Sequence, residues 1–259
     1  MTSAQEIITH MESLRNEQQR LNLMRFFKTQ PGEYGYGDEF LGIKVPETRK
    51  VVERAKDTPL NEIPTLLLCR WHEVRLCGLL LLVEKFEKLS KKKLVNDPQA
   101  TKERDAIVEL YLKYAHQANN WDLVDLSVPK IIGSWLLLPT TLGSANGQLS
   151  MNVDNKLKVL DRLAQSDCLW HQRMSMVCSW KTSQQGDPSY CLRYAEIHLH
   201  HPHDLMQKAV GWMLREMGKR VSMDLLRDFL HQHAHEMSRT TLRYAIEKMP
   251  ETERQMWLK

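Results

Sequence analysis

At 259 residues, with 42% hydrophobic and 26% charged side chains, the chain has ordinary globular usage and enough length to bury a large core. Thirty-six Lys and Arg against 32 Asp and Glu leave a net charge of +4, which excludes a polycationic coat and confines any phosphate-binding surface to a local patch. Five cysteines, odd in number and without a CxxC pair, argue against a disulfide framework or a cysteine-rich zinc site, and the longest apolar run, residues 79–83, is far too short to span a membrane.

The N-terminal stretch alternates charge with apolar positions and reads as neither signal peptide nor anchor, so a cytoplasmic protein is expected, in the cytosol or nucleoid of a bacterium. Residues 4–28 have the spacing of one charged amphipathic helix that stops at Pro31. TQPGEYGYGDEFLG follows as a loop. Its Gly35 and Gly37 lack the third glycine and the flanking strand of a dinucleotide fingerprint, and Tyr34 and Tyr36 either pack this loop down or touch a ligand. Pro46 suits the first turn of a short helix, and a second helix is expected from about Asn61 through the leucine-rich stretch to Phe86. Residues 90–103, with Lys91, Lys92, Lys93 and Lys102 around Asp97 and Pro98, read as an exposed connection.

Helical periodicity resumes over 104–118, and Pro129 is expected to kink or end the next helix before another at 131–138. PTTLGSANGQLS, residues 139–150, is the longest polar break in what otherwise reads as one domain over 1–259. Beyond it Arg173, Lys208 and Arg243 recur at a spacing of 35 residues, and helix pairs alternate at the period of stacked HEAT-type repeats. The fold expected is therefore all-α, a right-handed-type helical solenoid of HEAT-like repeats with a concave binding face.

Two stretches carry chemistry. In NNWDLVD, Trp121 and Asp125 are four apart and rise from one helical face. That pair by itself fits first a core anchor beside a solvated or salt-bridged carboxylate; it also fits a face that meets a cationic or nucleobase ligand. The second stretch is a helix from a cap at Asp204 to Gly218. There Lys208, Trp212, Arg215 and Lys219 fall within an arc of about 60°, opposite Val210, Met213, Leu214 and Met217. Cations with an interleaved indole are what backbone contact combined with base or sugar contact requires. Trp170 and Arg173, three apart, add a further aromatic and cation. Two histidine groups, His198, His200, His201 and His203, then His231, His233 and His235, lack a HExxH pattern or a cysteine pair and read as surface histidines, so no metal is expected.

WDLVD followed by VPKIIG, then WHQRMSMV, then QKAVGWMLREMGKR, with FLGIKVPETRK nearer the N-terminus, resembles the DNA alkylation repair family of HEAT-like-repeat glycosylases, the AlkD type, in the same order over about residues 30–220. The resemblance implies removal of positively charged N3- and N7-alkylated purines from duplex DNA, without a deep base pocket and without a cofactor. It implies that Trp121 and Trp212 flank the lesion, that Asp125 is the catalytic carboxylate, that Arg173 holds the DNA backbone and that Arg215 contacts phosphate. Lys208, Lys219, Tyr34 and Tyr36 complete the expected DNA-binding set. The expected partner is double-stranded DNA carrying alkylated purines, with no membrane and no obligate protein partner, the chain acting as a monomer. The competing expectations are a non-catalytic repeat protein that binds bent or branched DNA and a protein-binding scaffold.

Overall fold

A computed structural model describes residues 1–144 and 147–259; Ala145 and Asn146 of the polar break lie outside the described residues. The chain is all-helical, with no strand among the described residues, only isolated bridges pairing Glu39 with Trp71 and Thr140 with Ser150. Its contacts group into two compact units, Met1–Ser127 and Val128–Lys259.

In the first unit the helices are α1 (Ala4–Ser13), α2 (Glu17–Phe26), α3 (Val45–Arg54), α4 (Ile63–Leu67), α5 (His72–Leu89), α6 (Pro98–Lys113) and α7 (Trp121–Val128), whose last residue lies beyond the boundary. α5 is the centre. Leu76 to Val83 and Phe86 are buried on every side of it, as a stretch without a polar face requires, and α1, α3, α4 and α6 pack around it.

Three element boundaries differ from those expected. The single helix over 4–28 is two. Asn16 caps α2 with its side chain, accepting from Gln19 N at 2.9 Å, and its own N–H is taken by the carbonyl of Leu41 at 3.0 Å, so tertiary bonding interrupts the amphipathic pattern. α2 then ends at Phe26, ahead of Pro31, because Lys28 sits in the left-handed region at φ 52°. The helix over 61–86 is also broken, since Glu39 O accepts the His72 N–H at 2.8 Å and α5 starts afresh there. Residues 90–103 are not an exposed connection throughout. Asp97 caps α6 by accepting from Ala100 N at 2.7 Å, and buried Arg104 donates to the carbonyls of Leu89, Leu94 and Val95, which ties the turn down.

The second unit holds α8 (Ser134–Leu136), α9 (Val153–Ala164), α10 (Leu169–Val177), α11 (Ser179–Gln184), α12 (Ser189–Ile197), α13 (Asp204–Arg220), α14 (Met223–His233), α15 (Arg239–Ala245) and α16 (Glu251–Trp257). Pro129 begins a π-helical turn over Pro129–Gly133, so the expected helix at 131–138 shrinks to α8. α13 is the hub, packed by α10, α11, α12, α14 and α15, with Val210, Met213, Leu214 and Met217 all in the core. His203, not Asp204, caps it, its Nδ1 accepting from Leu205 N at 3.1 Å. Gly211 lets α15 approach closely: a Cβ there would lie 2.4 Å from the Thr241 carbonyl oxygen. The three positions spaced by 35 residues fall on α10, α13 and α15, and α13 packs directly against the other two.

Candidate active site

The loop between α2 and α3 is built onto the head of α5. Glu73 is buried, and its carboxylate accepts the backbone N–H groups of Leu41, Gly42 and Ile43 at 2.9, 2.8 and 3.1 Å. Such charge-assisted bonds are among the strong ones and hold FLGI to the helix. Gly42, at φ 88°, passes so close to α2 that a Cβ would meet the Asn16 carbonyl oxygen at 2.1 Å.

One residue earlier on α5, His72 bridges two carboxylates. Its Nδ1 lies 2.6 Å from Asp38 in the loop and its Nε2 lies 2.9 Å from Asp122 in the first turn of α7, with all three side chains buried. Arg75 pairs with Asp38 through Nη2 and also reaches Asn119 Oδ1 at 3.2 Å. Burial pulls the His72 imidazole toward its neutral form, but attraction to Asp122 and hydrogen bonds to Asp122 and Asp38 outweigh it and push its pKa up to about 9. Burial likewise favours protonation of Asp38, yet His72 and Arg75 together hold its carboxyl below the usual range.

This ionic cluster lies under an aromatic one. Phe40 stacks on His72 with centroids 4.5 Å apart, and Phe27 stacks on Phe40 at 5.2 Å. Phe27 also contacts Trp121 at 5.4 Å, and Phe26 meets the same indole edge-on at 5.8 Å while remaining 61% exposed. Trp121 Nε1 donates to the Tyr34 hydroxyl at 3.3 Å, and the Lys28 ammonium sits 5.9 Å from the Tyr34 ring centroid. Of the two expected loop contacts, Tyr34 is thus packed against Trp121, whereas Tyr36 projects outward, 67% exposed.

α7 is fixed from behind. Leu123, Val124 and Ser127 are buried, and the Tyr111 hydroxyl of α6 meets Ser127 Oγ at 2.8 Å. Asn120 Oδ1 accepts the Trp121 N–H at 2.8 Å at the start of the helix. With that face inward, Trp121 and Asp125, one turn apart, are both half-buried rather than enclosed.

In the second unit Trp212 is half-buried on α13. The cations beside it are largely engaged: Lys208 pairs with Asp204 at 2.6 Å, Arg215 pairs with Glu247 and lies 3.6 Å from Glu216, and Lys219 is exposed. Arg173 is only 5% exposed and donates to the Leu205 carbonyl of α13, and Trp170 is buried beside it on α10, so neither lies open on a surface. His198 corrects the surface reading of its cluster. It is buried with Nε2 2.8 Å from Ser175 Oγ, and burial, aided by His201, depresses its pKa to about 4. Among the described residues no group of three His, Cys, Asp or Glu is placed to hold a metal, no helix is long and apolar enough to cross a membrane, and all five cysteines are free thiols.

Sequence reasoning passed over Asp38, His72, Arg75 and Asp122. The available signal was WHEVR, three charged or titratable groups leading straight into the apolar run from Leu76 to Val83, where charge survives only with partners.

A solved structure described as a predicted DNA alkylation repair enzyme from Enterococcus faecalis shares the fold, with a TM-score of 0.66 over 92% of this chain and 97% of that one at 15% identity. No curated protein matches the sequence. The model of the family described as DNA alkylation repair enzyme matches residues 7–249, nearly the whole length, and the chain belongs to that family.

Proposed function

We propose that this chain is a monofunctional DNA glycosylase of the AlkD type that hydrolyses the N-glycosidic bond of positively charged N3- and N7-alkylated purines in duplex DNA. The observation that carries the reading is on α7: an indole held by Phe26, Phe27 and Tyr34, and a half-buried carboxylate one turn further on the same face.

An alkylated purine already carries a positive charge, so the leaving group needs no proton from a general acid. Only the sugar needs help. As the bond to the base stretches, the deoxyribose becomes oxocarbenium-like, and Asp125 stabilises a charge that exists mainly in the transition state. The same carboxylate orients and deprotonates the attacking water. The electrons of the broken bond leave with the base, which departs neutral, and water supplies the new oxygen on the sugar.

Trp121 offers a face that attracts a cationic base by about 0.5 to 2 kcal/mol, and Trp212 is proposed to do the same from the second unit. Lys208, Arg215 and Lys219, with Tyr34 and Tyr36 in the loop, are the proposed DNA contacts, and Arg173, buried beneath the surface, is proposed to hold the backbone from behind them. A buried arginine such as Arg173 acts here by shaping the end of α13 through Leu205 as much as by its charge.

Substrate scope tests this reading. Duplexes carrying N7-methylguanine or N3-methyladenine should lose their base, whereas a duplex with a neutral lesion such as hypoxanthine should not. Borohydride should trap no covalent complex, since no lysine serves as a Schiff-base nucleophile. Excision of the neutral lesion at a comparable rate, or a trapped complex, would contradict it.

A further inference from the structure

We propose that His72 is a positioning residue: held between Asp38 and Asp122, it locks the loop that carries Tyr34 to the head of α7 and so sets the place of the Trp121 indole. The inference rests on the glycosylase reading for its catalytic consequence, but its geometry stands alone.

Both ring nitrogens of His72 face carboxylate oxygens, at 2.6 and 2.9 Å. A neutral imidazole has one donor and one lone pair, so it can satisfy only one of them; the imidazolium satisfies both. Charge balance gives the same answer. The cluster contains two carboxylates, Asp38 and Asp122, against the Arg75 guanidinium, and it is neutral only when His72 carries a proton. The groups facing the imidazole are Asp38 from the loop, Asp122 from α7, and the rings of Phe40 and Phe27, with Arg75 of its own helix acting through Asp38.

Two routes lead from this ring to Trp121. Asp122 is the next residue along the backbone, and its other oxygen, Oδ1, is buried with no hydrogen-bond partner. The bond from His72 to Oδ2 therefore has no hydrogen-bonding substitute at Oδ1 in fixing this carboxylate. Phe27 is the second route, touching His72 at 5.1 Å and Trp121 at 5.4 Å. Arg75 closes the arrangement by reaching Asn119, two residues before Trp121. Loss of the His72 proton leaves a net negative buried cluster and a lone pair against a carboxylate, which pushes Asp38 and Asp122 apart and frees the indole.

The test uses the full chain labelled with ¹⁵N-tryptophan, the Trp121 indole N–H resonance being assigned with Trp121→Phe. In the wild type this resonance should shift with one midpoint near pH 9, following the folded-state pKa of His72. In His72→Gln it should be displaced at neutral pH and show no such midpoint. The single-turnover rate of N7-methylguanine release should fall about tenfold in the variant, with its binding of undamaged duplex unchanged within about twofold. If His72→Gln fails to fold, the same titration in Tyr34→Phe, which lacks the phenol that accepts from the Trp121 indole, decides. A Trp121 resonance that stays fixed from neutral to alkaline pH, or one unmoved in a folded His72→Gln protein, overturns the proposal. A wild type that releases no base refutes the glycosylase reading and leaves the two resonance results to decide the role of His72.

Discussion

Trp121 donates its indole N–H to the hydroxyl of Tyr34, 87 residues earlier in the chain, at 3.3 Å. That bond joins the start of α7 to the loop between α2 and α3, so the proposed catalytic helix and an expected DNA contact are one packed unit. Tyr34→Phe removes the acceptor and keeps the ring. With one neutral hydrogen bond worth about 0.5 to 1.5 kcal/mol, excision should slow by about two- to tenfold, by more than binding of undamaged DNA weakens. Single-turnover kinetics beside a binding titration checks it.

Arg215 is held by Glu247, at the price of its availability to phosphate. If it contacts the backbone, Arg215→Ala should weaken DNA binding and lower the slope of log affinity against log salt by about one. Glu247→Gln releases the guanidinium and should tighten binding, most visibly at low salt. Fluorescence anisotropy at several salt concentrations measures both, and an unchanged slope in Arg215→Ala removes this contact from the account.

His198 gives the second unit an acid-side dependence. Its folded pKa is depressed from 6.5 to about 4 by burial, so the folded state binds fewer protons than the unfolded one between those values. The stability this neutral histidine contributes is present above about pH 6.5 and is lost as pH falls through about 4. His198→Gln keeps a hydrogen-bonding group for Ser175 and cannot be charged. Between neutral pH and pH 5 its melting temperature should fall less than that of the wild type.

Gly211→Ala places a methyl group against the Thr241 carbonyl. Overpacking of this kind costs about 1 to 3 kcal/mol, so thermal unfolding should occur several degrees earlier. An unchanged melting temperature would mean that α13 and α15 separate more easily than their packing implies.

The parts legible in the sequence are those set by local pattern. The apolar run of α5, the two faces of α13 and the four-residue step from Trp121 to Asp125 follow from helical period alone. What escaped was nonlocal. Asp38 and Asp122 lie 34 and 50 residues from His72, and no spacing rule joins them. The breaks at Asn16 and before His72 escaped for the same reason, because the backbone of Asn16 bonds to Leu41 and that of His72 to Glu39. The arc of cations on α13 was drawn correctly as a face, but its ion pairs with Asp204 and Glu247 depend on neighbours that periodicity cannot supply.

The central claim is that Asp125 performs the chemistry from the same helical face as Trp121. Its most direct test is release of free base from duplex DNA carrying N7-methylguanine, comparing wild type with Asp125→Asn at equal DNA occupancy. The wild type should release the base, and the variant should be slower by about 10² to 10³ while binding the duplex equally well. Equal release by the two proteins would contradict the account.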